Sequence, residues 1–182
     1  MKKTDIEQVE LRRVYINDID PDTCVDIVKQ IHAVNQEDDD NEEIYTDYER
    51  TPINVYISSY GGSIYDGLTV CNAMEKSKTP IHTHVNYAMS MGFIISLFGK
   101  VRTCNKYTRF MWHSMSSGIM GKLKDMEEDM VENKNLQVTM DTITLERTKM
   151  TKKQLKLIID AKKDHYFTAE EALKLKIVDS IE

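Results

Sequence analysis

The sequence predicts an α/β domain organised on a parallel sheet, and three observations carry that reading. Ile53 to Ile57 alternates apolar and polar residues, the pattern of a strand with one buried face. A glycine turn, Gly61-Gly62, and a stretch of helical period from Ser63 to about Lys76 follow it. Ile81 to Val85 repeats the alternation, then runs through the small-residue turn AMSMG into an apolar segment ending at Phe98. Strand–helix units in immediate succession imply right-handed parallel connections.

A chain of 182 residues is long enough for one domain with a proper core. Hydrophobic residues make up 41% and charged residues 30%, the balance of a water-soluble globular protein. The net charge of -6, with no basic stripe, argues against nucleic acid as a partner. The 5 histidines are scattered without metal-ligand spacing, so neither metal nor other cofactor is expected. Cys24, Cys71 and Cys104 lie far apart without a CxxC pair, the usage of free thiols in a reducing compartment. MKKTDIEQVELRR has no apolar core of a secretory signal, and the apolar run from Ala88 to Phe98 is too short to span a bilayer. The expectation is a cytoplasmic protein that does not enter membranes.

Taken in order, residues 1–10 are polar and expected to be flexible. Val14 to Ile16 is a short strand. Asp20 caps a helix that has Pro21 in its first position and Val25, Val28, Ile31 and Val34 facing inward. The acidic run QEDDDNEE opens an expected exposed loop over residues 36–50, because like charges repel; it lacks the glycine turn and ligand spacing of a calcium loop. Ser63 with Asp66 forms a capping box for the next helix, where Ile64, Leu68, Cys71 and Met74 share one face. A strand from Thr108 to Trp112 precedes His113. Residues from about 122 to 150 form a long charge-rich helix with a thin apolar stripe (Leu123, Met126, Met130, Leu136, Met140, Ile143), which suits an arm packed on a partner. Thr151 caps a further helix, and Thr168 with Glu171 caps a short final one. No repeat or linker divides the chain, so residues 1–182 read as one domain.

Chemistry concentrates where strands end. Ser90 sits at a strand-to-helix junction, where free N–H groups and a helix dipole favour a developing negative charge; the plainer reading is a helix cap. Gly61-Gly62 ends the neighbouring parallel strand on the same edge of the sheet, so the N–H groups of Gly62 and Met91 can converge on one oxygen. His113, after the strand RFMW, is the candidate base. His82 and His84 lie earlier on the serine's own strand and suit packing. Asp164 is a plausible partner for the imidazole, although composition alone does not choose it among 30 acidic residues.

Four segments carry a family resemblance: INVYISSYGGSIYDGL (Ile53 to Leu68), AMSMGFIISLFG (Ala88 to Gly99), RFMWHSMSSG (Arg109 to Gly118) and DHYFTAEEALKLKIVDSI (Asp164 to Ile181). Together they resemble ClpP, the proteolytic subunit family of the Clp protease, over nearly the whole chain from Val14. The resemblance implies a ClpP/crotonase-like βα spiral with a protruding handle helix. It implies a serine endopeptidase acting on unfolded polypeptides, with Ser90, His113 and Asp164 as catalytic triad and the Gly62 and Met91 N–H groups as oxyanion hole. Gly61 and Ser63, then Met115, Ser116, Ser117 and Gly118, take the substrate-binding positions, the last four as a strand to which substrate adds. Two stacked heptameric rings and an AAA+ unfoldase partner are implied as well. A crotonase-type acyl-CoA enzyme and a non-catalytic ClpP-like subunit are the alternatives.

Departures from the family pattern carry their own expectations. Tyr60 replaces the usual proline, and Asn86, Tyr87 and Met89 stand before the serine, which should narrow the site. Lys162-Lys163 replaces an acid–arginine pair that helps couple rings, so ring pairing should differ. The stretch ahead of Val14 lacks a clear counterpart of the family's unfoldase-docking segment, which suits a shortened, phage-type member and weakens the expectation of an ATPase partner.

Overall fold

A computed structural model describes residues 10–116, 118 and 120–182. Among them a six-stranded sheet has the path β1 (Arg13–Ile16), β2 (Ile53–Ser59), β3 (Ile81–Met89), β4 (Val101–Trp112) and β5 (His165–Thr168), with β6 (Ser180–Ile181) also on β4. β1 to β4 are mutually parallel, as the alternating strand–helix pattern predicts, and β5 runs antiparallel to β4. The connections carry α1 (Pro21–Ile44), α2 (Ile64–Lys76) and α3 (Met91–Ser96). After β4 come α4 (Leu123–Arg147) and α5 (Lys152–Ala161); α6 (Ala169–Lys174) follows β5. The inward residues of β2 and β3 (Ile53, Val55, Ile57, Ile81, Val85) are buried, and every residue of α3 is buried beneath them. Phe93 of α3 packs between Phe110 of β4 and Phe167 of β5, with ring centroids 6.5 and 6.0 Å away, which fixes α3 against the strands that flank it.

The acidic run is not a loop. α1 continues through it to Ile44, with Asp20 capping the first turn by accepting from the Thr23 N–H at 2.9 Å. The inner stripe is Cys24, Ile27, Ile31, Val34 and Asp38, while Val25 faces solvent. Asp38 continues that stripe one turn past Val34, so the run's own periodicity places one carboxylate inside. Cations from elsewhere remove the repulsion that the sequence suggested. Arg12 binds Asp38, which also accepts from the Thr79 and Tyr48 hydroxyls; Arg50 bridges Asp39 and Glu42; Lys78 reaches Asp39. Only residues 45–50 of the expected loop lack helix or strand.

The strand before His113 is also longer than expected. It begins at Val101, and its pairing with β3 jumps from Val85↔Cys104 to Tyr87↔Arg109. Thr108 stitches that excursion: its hydroxyl donates to Val85 O at 2.9 Å and accepts from the Asn105 N–H at 3.1 Å. Polar residues from Arg102 to Thr108 hide the first half of the strand from a periodicity search.

α4 is the expected long helix. Its buried residues are Leu136, Met140 and Thr144, all in its second half, while Leu123, Met130, Val131 and Val138 are exposed. The capping boxes at Thr151 with Gln154 and at Thr168 with Glu171 are both formed.

The Arg12–Asp38 pair is the buried polar joint of the fold, holding β1, α1 and the entry to β3. Burial pushes the Asp38 carboxyl up; hydrogen bonds from Arg12, Thr79 and Tyr48, with the guanidinium charge, overcome this and hold it below its ordinary value. Its contribution to stability is therefore complete above the unfolded carboxyl's pKa of about 4 and is lost as pH falls through the lower folded value. Arg12→Leu should lower unfolding free energy at neutral pH by about 3 kcal/mol, read by urea denaturation, and the gap from the parent should shrink toward pH 3.

Candidate active site

Strand register assembles the site. Ser59 of β2 pairs with Ala88 of β3, so two residues on Gly61 comes level with Ser90. Met89 pairs with Met111 of β4, which puts Ser90 beside Trp112. Trp112 pairs with His165 in the antiparallel β4–β5 ladder, so one step beyond it His113 faces Asp164. Residues distant in sequence thus reach one edge of the sheet for purely backbone reasons.

Ser90 holds an unusual conformation, φ 54° and ψ -123°, rare for a residue with a Cβ. Its N–H donates to Met111 O at 2.9 Å, and its carbonyl accepts from the Phe93 N–H at 3.0 Å. The side chain makes no capping hydrogen bond to α3, so the plainer reading of Ser90 as a side-chain cap fails. Instead, Ser90 Oγ lies 2.8 Å from His113 Nε2. His113 Nδ1 is 3.6 Å from Asp164 Oδ1, an electrostatic contact longer than a hydrogen bond. Asp164 is half exposed, and His113 is three-quarters covered.

The glycine turn is packed against this hydroxyl. Gly61 has φ 105°, and a Cβ there would lie 2.7 Å from Ser90 Cβ and 3.2 Å from Met91 N. A Cβ on Gly62 would collide with Ile19 O, the same carbonyl that accepts from the Ser63 N–H at 2.8 Å. Both positions therefore need glycine for close approach. Gly62, Ser90, Met91 and His113 surround one cavity of about 100 Å³, completed by Ile64, Ile94, Trp112, Met115, Ser116, Gln137 and Met140. The opening is apolar apart from the serine, histidine and glutamine side chains and the backbone.

The expected substrate-binding residues divide. Met115 and Ser116 line the cavity. Gly61 stands behind Ser90 instead of lining it, and Ser63 is spent capping α2 by accepting from the Asp66 N–H at 3.4 Å. Gly118 is exposed, and Ser117 lies outside the described residues. The expected narrowing by Tyr60, Asn86, Tyr87 and Met89 does not occur, since none of them lines the cavity. Tyr60 packs on Tyr87 with ring centroids 4.9 Å apart, and Asn86 donates to Ser58 Oγ at 2.9 Å. His84 is a packing residue as expected: it lies against the Tyr56 ring, and its nitrogens contact Asn54 Oδ1 and Thr103 Oγ1, each at 2.9 Å. Burial, with His84 and Lys100 nearby, pulls the pKa of His82 down.

Gln137 is a lining residue that sequence reasoning missed. A polar residue beside a thin apolar stripe gives no signal by itself. Among the described residues, no group of three or more His, Cys, Asp or Glu is placed to hold a metal ion. Nor is any described helix long and apolar enough to cross a membrane.

The family model described as Clp protease matches residues 8–182. The chain is 33% identical over 132 residues to the ATP-dependent Clp protease proteolytic subunit of Deinococcus radiodurans, a match covering 71% of this chain and 64% of that one. It is 35% identical over 133 residues to the ATP-dependent Clp protease proteolytic subunit 1 of Salinibacter ruber, covering 71% and 56%. With the ATP-dependent Clp protease proteolytic subunit of Borrelia garinii it shares 30% identity over 169 residues, covering 91% and 79%. The chain belongs to the Clp protease family. Its matches span less than two thirds of the Deinococcus and Salinibacter proteins.

All three thiols are free and buried, and burial pushes Cys24 and Cys104 up to about 11 and Cys71 up as well. Ellman's reagent should find no reactive thiol in the native protein and all 3 in urea.

Proposed function

We propose that this chain is a serine endopeptidase that hydrolyses peptide bonds through an acyl-enzyme on Ser90. The observation that carries the reading is the 2.8 Å contact between Ser90 Oγ and His113 Nε2, on a serine whose side chain serves no structural bond to its helix. His113 takes the hydroxyl proton as Ser90 attacks the substrate carbonyl, then gives it to the departing amine. Water, deprotonated by the same imidazole, cleaves the ester and restores the serine. Asp164 holds the imidazole tautomer with its proton on Nδ1; closing the 3.6 Å gap on substrate binding is expected of a site whose bonds tighten in the reacting complex. The N–H groups of Gly62 and Met91 stabilise the oxyanion. They stand on a pinned glycine turn and at the first residue of α3, so neither reorganises during the reaction.

The substrates proposed are unfolded polypeptides, entering as an extended chain beside Met115 and Ser116. The relatives are named as subunits and as ATP-dependent, which supports a homo-oligomer served by an ATPase. The exposed apolar residues on the outer half of α4 support the same reading, with that helix as the handle between rings. We take the assembly to be two stacked heptameric rings, the ATPase to be an AAA+ unfoldase and the compartment to be the cytoplasm, with residues 1–182 acting as one peptidase domain.

A fluorophosphonate should label one residue, Ser90, and Ser90→Ala should abolish labelling; adduct that persists elsewhere in that variant overturns the assignment. His113→Ala should lower kcat for a fluorogenic peptide by at least about 10³-fold. Asp164→Asn should cost about 10² to 10⁴-fold, and a loss confined to KM would remove Asp164 from the triad.

A further inference from the structure

Beyond the triad and the oxyanion donors, one side chain ties the cavity wall to the long helix. Gln137 lies in the second half of α4, between the buried residues Leu136 and Met140. Its Oε1 accepts from the Met115 N–H at 2.7 Å, and its Nε2 donates to Asp141 Oδ1 at 2.7 Å. Met115 stands two residues beyond His113, where the chain has left β4 and belongs to neither helix nor strand. Without a ladder, a backbone there lacks the hydrogen bonds that fix it elsewhere. The bond to Gln137 orients the planar peptide that joins Ser114 to Met115, and so sets the height at which Met115 and Ser116 pass the cavity.

Asp141 makes that bond directional. A carboxamide has a donor end and an acceptor end of almost the same shape, and either can face a given partner. A carboxylate only accepts, so it turns the NH₂ of Gln137 toward itself and leaves the oxygen for Met115. Burial pushes the Asp141 carboxyl upward, and the bond from Gln137 offsets part of that cost.

We propose that Gln137, oriented by Asp141, is a positioning residue for substrate: it holds Met115 and Ser116 at the level where an extended peptide lies along them. This rests on the serine peptidase reading. Gln137 bonds to Met115 and Asp141, while Ser90 and His113 bond to each other, so its effect falls on long substrates, which run along Met115 and Ser116, and not on the bond-breaking groups.

The test compares a decapeptide with a minimal fluorogenic dipeptide, on the assembled full-length protein. Gln137→Met keeps volume and removes the acceptor; kcat/KM for the decapeptide should fall about tenfold more than kcat/KM for the dipeptide. Asp141→Leu should reproduce that split, and Asp141→Glu, which keeps an acceptor-only group for Nε2, should restore near-parent behaviour. Equal losses on both substrates, or no change on either, overturn the proposal, as does failure of Asp141→Glu to differ from Asp141→Leu. The two Asp141 variants keep the comparison open if Gln137→Met does not fold. Absence of fluorophosphonate labelling in the parent protein overturns the peptidase reading instead, and so separates the two failures.

Discussion

The hydrogen bond from the Ser90 N–H to Met111 O closes the frame on which the site depends. It extends the parallel pairing of β3 with β4 one residue past the regular ladder and halts β3 at the point where the chain turns into α3. Because β4 pairs with β5 on its other side, the same strand carries His113 out toward Asp164. Shift β4 by one residue and every side chain on it changes face, so the hydroxyl and the imidazole would part. The core beneath exists largely to forbid that shift. Phe93, Phe110 and Phe167 lock α3, β4 and β5 together from below, and each is fully buried.

Much of this frame is legible in the sequence, for reasons specific to particular residues. The strands β2 and β3 alternate cleanly because one face meets the core and the other does not, so both declare themselves. Ser90, His113 and Gly62 are visible because strand ends, glycine pairs and turns leave local marks. Asp164 left no such mark, and only the family pattern singled it out. What periodicity cannot show is compensation by residues far away. The acidic run looked unfit for a helix because Arg12, Arg50 and Lys78, which neutralise it, come from other parts of the chain. The first half of β4 hid behind polar residues that bulge out of register. Gln137 was silent because its partners are a backbone N–H 22 residues away and one carboxylate.

Two kinds of buried polar contact do different work here. The Arg12–Asp38 cluster, remote from the cavity, joins elements whose apolar faces alone would let them slide. At the cavity, polar atoms are left half-committed: a hydroxyl bonded to an imidazole, and an imidazole in loose contact with its carboxylate.

The backbone at Ser90 has a consequence for which amino acids evolution can try there. With φ at 54°, a side chain branched at Cβ would crowd its own carbonyl, so threonine is barred by conformation although its hydroxyl is chemically equivalent. Alanine fits and is inert. Of the ordinary nucleophilic side chains, only those with an unbranched Cβ and a single short reach, serine and cysteine, are open to this bend. On the proposed peptidase reading, the choice of atom that meets the carbonyl is thus narrowed by torsion before reactivity is ever selected.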